Sequence, residues 1–285
     1  SGVWEWANHR LNEFVGDIST YFNQKSVNVA DEWMVDLKNS NLRNHIDRAN
    51  LFLGGTVAPY GYLSTFCPLI IDKGGRVDQN FNFTQKDFQV GKGLKGDGLY
   101  KRLNTYLSAN SSFSDFSGHI SINTTSETAN GISGRGLGII GAIGKSSSGN
   151  KSSVNMNLYK TGSSYFVDSF FGKLTSGPQS ISSTSGFFIL NSNNSSSFSV
   201  AEKGVILSSV RQSNSWVNSD LQDSSSSDFN INIFSSENGG GPRKYSDQCV
   251  SFYSVGERLT NDQSTSLNGL IEKLSANLNL LEASD

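Results

Sequence analysis

The chain has 285 residues, 35% apolar and 17% charged, with 18 phenylalanines, 9 tyrosines and a formal charge of −2. That much aromatic surface drives collapse and excludes a charged disordered protein. The low charge, with no stretch concentrating Lys and Arg among aromatics, excludes nucleic acid as an expected partner.

Val3, Trp4, Ala7, Leu11, Phe14, Val15 and Ile18 recur at helical spacing and predict an amphipathic helix. Ser1-Gly-Val-Trp-Glu-Trp lacks the basic start and apolar run of a signal peptide. Asp31 is placed to cap a second, short helix through Trp33, Val35 and Leu37. Leu42 to Ile46 form a third before NLFLGG at 50–55 ends the helical region. Trp4, Trp6 and Trp33 fall here, and their expected role is to pack the helices on their own domain or on a neighbouring subunit.

From Phe81 the apolar period becomes two, and strands are expected at 81–83, 119–125, 153–159, 165–171, 186–191, 204–210, 228–234 and 249–255. Val154, Met156 and Leu158 share one face, as do Phe229, Ile231 and Ile233; Asn155, Asn157, Asn230 and Asn232 take the other. Turn clusters at 144–153, 192–197 and 237–247 separate the strands, and no helical pattern intervenes that would support parallel crossovers. A mainly β fold follows, an antiparallel two-sheet sandwich with N-terminal helices and a C-terminal closing helix. LGIIGAIG at 137–144 is too short to cross a bilayer, so membrane insertion is not expected. Cys67 and Cys249 have no second ligand pair for zinc; a disulfide is open to them, but two buried thiols are the expectation.

The chain finishes with a strand at Cys249–Val255, Gly256 for a sharp turn, and a capping box of Thr260 with Gln263. Leu267, Leu270, Ile271, Leu274, Leu278 and Leu281 then form one stripe, so this helix is expected to lie over an edge or end of a sheet and close it. This strand, glycine and capped helix resemble the ending of concanavalin A-like, laminin-G-like jelly-roll modules of phage and other viral appendage proteins. Three further segments resemble the same modules in the same order: Arg43 to Gly54 with NLFLGG, Leu94 to Leu107 as LKGDGLYKRLNTYL, and the strand pair Gly204 to Leu221. The final piece is Tyr245 to Leu259, with FYSVGERL. One departure is Asn218-Ser219 in place of the hairpin Asn-Gly.

The resemblance implies a jelly roll over residues 41–285; residues 1–40 have no counterpart in it, and a helical segment for virion attachment or assembly is the expectation for them. It implies a tail-fibre or surface-appendage protein located on the virion. Its partners would be other virion proteins, further copies of itself and a host-surface glycan.

Sandwiches of this shape host both lectins and enzymes, so only the residues themselves can carry a chemistry. No Glu-x-Asp-x-x-Glu strand is present; Asp220, Asp223 and Asp228 straddle a Ser-rich loop and read as solvated turn residues. YKTGSSYF at 159–166 is superficially like a lyase strand but lacks a paired Gln-x-His strand. His9, His45 and His119 show no nucleophile arrangement, and GISGRGLG at 131–138 lacks the Lys-Ser/Thr end of a phosphate loop. The expectation is therefore a binding protein and not an enzyme. Ligand candidates are Trp216, Asn218, Tyr245, Arg243 and Arg135, residues suited to stacking and hydrogen bonding with neutral sugars. The competing readings are a glycan-cleaving enzyme using dispersed Glu127, Asp168 and Glu202, and an architectural protein without ligand. No cofactor is expected, although Asn218, Asp220, Asp223 and Asn238 carry oxygen donors of the kind calcium takes.

Overall fold

The computed structural model describes residues 24–53, 66–74, 77–113, 117–129, 137–145, 151–172, 174–194, 197–211, 230–236 and 244–282. Helix α1 spans Gln24–Asn39. It starts well before Asp31, because the buried stripe Val29, Ala30, Trp33 and Leu37 runs straight through that position; Asp31 is a mid-helix residue and not a cap. The expected third helix is a single 3-10 turn at Arg43–His45. The helix expected at residues 3–18, with Trp4 and Trp6, lies outside the described residues.

Nineteen strands are described: β1 Ile46–Asn50, β2 Ile70–Ile71, β3 Gln79–Phe81, β4 Phe88–Gln89, β5 Gly93–Lys95, β6 Arg102–Ser108, β7 Gly118–Thr124, β8 Leu137–Lys145, β9 Lys151–Thr161, β10 Ser164–Gly172, β11 Leu174–Thr175, β12 Gln179–Ile181, β13 Gly186–Asn194, β14 Ser197–Glu202, β15 Val205–Arg211, β16 Asn230–Ile233, β17 Ser235–Ser236, β18 Lys244–Tyr245 and β19 Cys249–Gly256. Two helices complete the set, α2 at Ala109–Ser112 and α3 at Asn261–Glu282. The strands form a nine-stranded sheet ordered β15-β14-β13-β7-β19-β1-β2, with β5 and β4 joined through β19, and an eight-stranded sheet ordered β11-β10-β9-β8-β16-β6-β3, with β12 on β10. Strand pairing within each is antiparallel, as the alternating pattern requires.

The main core lies between the sheets. Ile120, Ile122, Phe188, Leu190, Tyr253 and Val255 of one face Val154, Met156, Leu158, Val167, Ile231 and Ile233 of the other, all at most 1% exposed. A second core lies on the opposite side of the nine-stranded sheet. There Phe187, Ile189, Ala201 and Phe252 meet Leu267, Ile271, Leu274 and Leu278 of α3, and Trp33 of α1 packs edge-on to Phe252 at 5.6 Å. Burying each such large side chain contributes about 1.5–3 kcal/mol. The helix therefore covers a face of the sheet and not an edge or end, and the unbroken run Phe187-Phe188-Ile189-Leu190 is the cause: a strand apolar on both sides needs both sides covered. The capping box closes as the sequence predicts, with the Thr260 amide donating to Gln263 Oε1 at 2.8 Å and the Gln263 amide to Thr260 Oγ1 at 3.2 Å. Cys67 and Cys249 are buried free thiols.

Strand β19 gathers distant segments. It pairs with β1 through Ile46 and Gly256, with β7 through Tyr253 and Ile122, and with β5 through Val250 and Leu94. At Gly93, with φ of +90°, a Cβ would sit 1.9 Å from the Val250 carbonyl oxygen, so only glycine lets β5 approach β19 this closely. Strand β1 buries Arg48 and Asn50 beside Asp78. The Asp78 carboxylate accepts from Arg48 Nη2 at 2.8 Å, from the Tyr253 hydroxyl at 2.7 Å and from Asn50 Nδ2 at 3.1 Å. Burial first, and then the Asp78 carboxylate, push the Tyr253 phenol well above its ordinary pKa, so it remains a donor.

Candidate functional site

One end of the sandwich is built almost wholly of polar side chains on loops that are firmly held. The segment after β7, residues 125–129, and the turn between β12 and β13, residues 182–185, meet there. Gln248 Nε2 donates to the carbonyls of Ser126 at 2.8 Å and Thr184 at 2.7 Å, tying both loops to the entry of β19. The Thr128 hydroxyl donates to Asp247 Oδ1 at 2.7 Å and the Ala129 amide to Asp247 Oδ2 at 2.9 Å.

On this frame the exposed Glu127 carboxylate accepts from the Tyr165 hydroxyl and, at 2.9 Å, from the Ser183 hydroxyl. Tyr165 is set in place by β10, where it pairs with Lys160 of β9 and Ile181 of β12. Lys160 Nζ lies 5.2 Å from the centre of the Tyr165 ring. On the other side, the Ser182 hydroxyl reaches Glu202 Oε1 at 3.5 Å, so the consecutive serines 182 and 183 stand between two carboxylates, one from the loop after β7 and one from the end of β14. Hydrogen bonds from Tyr165 and Ser183 hold the Glu127 carboxyl below its usual range, and the bond to Glu127 raises the Tyr165 phenol. Glu127 is thus the ionised acceptor and Tyr165 the proton-bearing donor. The arrangement offers an aromatic ring, a cation, two carboxylates and two hydroxyls to a ligand rich in hydroxyl groups.

Of the three dispersed carboxylates singled out in the sequence, the fold brings Glu127 and Glu202 to this end. It leaves Asp168 on the outer face of the eight-stranded sheet, opposite Asn157, with the Thr175 hydroxyl 3.4 Å from its Oδ1. Tyr245 is half-buried in the short β17–β18 ribbon opposite Ser235. Trp216, Asn218, Arg243 and Arg135 lie outside the described residues, as do Asp220, Asp223 and Asn238. Among the described residues no group of three or more His, Cys, Asp or Glu side chains is placed to hold a metal ion. No described helix is long and apolar enough to cross a membrane. His119 is buried: its Nδ1 faces the Glu257 carbonyl at 2.6 Å and its Nε2 the Ser254 hydroxyl at 2.9 Å, and desolvation depresses its pKa to about 4. The sequence reading reaches Lys160 and Tyr165 only as part of a superficial lyase likeness and does not reach Ser182 or Ser183. The signal was YKTGSSYF, a tight hairpin with a tyrosine on each arm and a lysine on one.

These features define a layered antiparallel β-sandwich with a polar loop end. No family model matches the sequence, and no curated protein matches it. Similar solved structures include the CBM40 of a Ruminococcus gnavus IT-sialidase, at 17% identity and a TM-score of 0.36, covering 54% of this chain and 83% of that one. A mutant Trypanosoma rangeli sialidase displaying trans-sialidase activity is similar at 10% identity and a TM-score of 0.43, covering 87% and 39%. The enzymatically active domain of tailspike protein 2 of bacteriophage CBA120 is similar at 18% identity and a TM-score of 0.37, covering 62% and 27%. The likeness thus spans well under half of the sialidase and tailspike chains. These similarities correct the expectation that the chain is not an enzyme, since they include sialidases and an enzymatically active tailspike domain. The expectation rested on the lack of a one-strand carboxylate motif, of a paired lyase strand and of a nucleophile arrangement, whereas the loop after β7 and the end of β14 bring Glu127 and Glu202 to one end of this sandwich.

Proposed function

We propose that this chain is the glycan-engaging sandwich of a virion surface appendage such as a tail fibre, and that a host-surface glycan is engaged at the Glu127 end. The observation that carries this reading is the half-buried Tyr165 ring with its hydroxyl bonded to an exposed, ionised carboxylate that Ser183 also holds. Sugar hydroxyls need fixed acceptors and ring faces, and here both are supplied without the entropy cost of ordering loops. The virion assignment rests on the jelly-roll resemblance of segments at 43–54, 94–107 and 245–259, of whose strands β1 and β5 are each hydrogen-bonded to β19. On that reading the partners are other virion proteins and further copies of the chain, and residues 1–40 attach it.

Glycan cleavage is the second reading, favoured by Glu127 and Glu202 on either side of Ser182 and Ser183. Two carboxylates flanking a glycosidic bond are the machinery of most glycoside hydrolases. A glycan array with the folded protein tests the first reading: Glu127→Gln and Tyr165→Ala should each weaken retained glycans at least tenfold, and unchanged binding in both would refute it. Reducing-end release from the retained glycans, abolished by Glu202→Gln, would establish cleavage. Antibody labelling of intact particles tests the location.

A further inference from the structure

The end of the nine-stranded sheet that carries Glu127 presents one group per strand. In the order β15-β14-β13-β7-β19-β5 these are Val205 at the start of β15, Glu202 at the end of β14, Ser183 before β13, Glu127 after β7, Asp247 before β19 and Tyr100 after β5. Contacts link them along the row. Val205 is the register partner of Glu202, the Ser182 hydroxyl reaches Glu202, the Ser183 hydroxyl donates to Glu127, and Thr128, next to Glu127, donates to Asp247. The loop that carries Tyr100 hangs on the same segment: the Gly98 amide donates to the Ser246 carbonyl at 3.1 Å and the Gly96 amide to the Gln248 carbonyl at 3.0 Å. Hydrogen-bonded strands lie about 4.8 Å apart, so the five steps from β15 to β5 make a row about 24 Å long.

At its two flanks this otherwise polar row is apolar and open. Tyr100 is 63% exposed, with Leu99 exposed beside it, and Val205 is 64% exposed, with Ile206 exposed beside it. The other exposed large apolar side chains among the described residues, Val35 and Leu280, belong to the helices. The Leu99-Tyr100 tip is held in place by its own loop. Asp97 Oδ1 accepts from the amides of Leu99 and Tyr100 at 2.9 Å and of Lys101 at 3.1 Å, and Asn82 Nδ2 donates to the Tyr100 carbonyl at 3.2 Å. The Lys101 ammonium is paired with Asp87 at 2.6 Å. An aromatic ring presented to water on a loop already ordered loses little entropy when a ligand covers it.

We propose that the ligand of this end is a linear, uncharged glycan of several rings laid across the strand ends from Val205 to Tyr100, and not a single terminal sugar. The inference rests on the reading of the Glu127 end as the glycan site. The ring-to-ring repeat of a linked pyranose chain is close to the strand spacing, so successive rings meet successive groups. The carboxylates of Glu127 and Glu202 and the hydroxyls of Ser182 and Ser183 bond the hydroxyls of the middle rings, while Tyr100 and Val205 receive the apolar faces of the outer ones. Two carboxylates at the centre of the row favour uncharged rings there over acidic ones.

The test is calorimetric titration of the full chain with cello-, malto- and chito-oligosaccharides, each as the disaccharide and the hexasaccharide. At least one hexasaccharide should saturate the protein and bind at least tenfold more tightly than its disaccharide. Tyr100→Ala and Val205→Ser, both at exposed positions and with urea midpoints as in wild type, should each weaken that hexasaccharide at least fivefold, and Glu127→Gln at least tenfold. Equal affinity for the two lengths, lost in Glu127→Gln, overturns the linear-chain inference and leaves the Glu127 site standing. Hexasaccharide binding that Glu127→Gln leaves intact overturns the Glu127 reading and this inference with it. Saturation by none of the hexasaccharides, or unchanged affinity in both Tyr100→Ala and Val205→Ser, also overturns the proposal. So does a Tyr100→Ala variant that binds the sugars as wild type does but has lost self-association in sedimentation, which makes the tip a contact between copies.

Discussion

Asp78→Asn is the sharpest probe of how this sandwich is held. The carboxylate is 2% exposed and receives hydrogen bonds from Arg48, Tyr253 and Asn50, and the Arg48 side chain is fully buried. The substitution keeps the volume but removes the charge, so the guanidinium stays buried without a counter-ion. Breaking a buried pair from one side costs about 3–5 kcal/mol. For a chain of this size that lowers Tm by roughly 10 °C, at roughly 2–4 °C per kcal/mol. The matched control is Asp72→Asn, which breaks the pair with Arg43 where the two side chains are 51% and 25% exposed. A surface pair is worth about 0–1 kcal/mol. Urea unfolding followed by tryptophan fluorescence, with the slope unchanged between variants, measures both. An Asp78→Asn loss below about 1 kcal/mol, or no larger than that of Asp72→Asn, would refute the claim that an uncompensated buried charge dominates here.

Three other outcomes follow from the packing. The unfolded state binds a proton at His119 near the ordinary pKa of 6.5, whereas the folded state resists until about 4, so stability is full above pH 6.5 and falls as pH drops toward 4. The loss should reach about 3 kcal/mol, and comparing urea midpoints at pH 7 and pH 4.5 for wild type and His119→Gln, which should flatten the dependence, checks it. Thr260→Ala removes the first half of the capping box and should lower stability by about 1 kcal/mol in thermal melts. Gly93→Ala forces a Cβ onto the Val250 carbonyl at positive φ, and should cost several times as much as an exposed Gly162→Ala, whose Cβ meets nothing within 4 Å. Equal Tm values for those two variants would contradict the close approach of β5 to β19.

What could be read from the chain beforehand depended on whether a residue's partner was its neighbour. Val154, Met156 and Leu158 alternate with Asn155 and Asn157, and the periodicity revealed the strand and its core face at once. The capping box of Thr260 and Gln263 is equally local. Strand β1 was hidden because its sequence, IDRAN, reads as solvent-facing. Its five residues are all buried because Asp78 and Tyr253, far along the chain, neutralise and bond its polar groups. His119, Ser121 and Asn123 likewise alternate like surface residues. They lie instead beneath the helical layer, bonded to Ser254, Ser251 and Ser275. At the polar end, Glu127 and Glu202 are named by residue type alone; only the turn through Ser182 and Ser183 makes them neighbours.

The position of β19 also constrains how the molecule is made. Ile46 waits for Gly256, about 200 residues later, before its own strand has a partner on that side. At 5–20 residues per second a ribosome needs roughly 10–40 s to deliver it. During that interval β1 and β7 expose the hydrogen-bonding edges that β19 will fill, a period in which a nascent chain needs shielding from its neighbours.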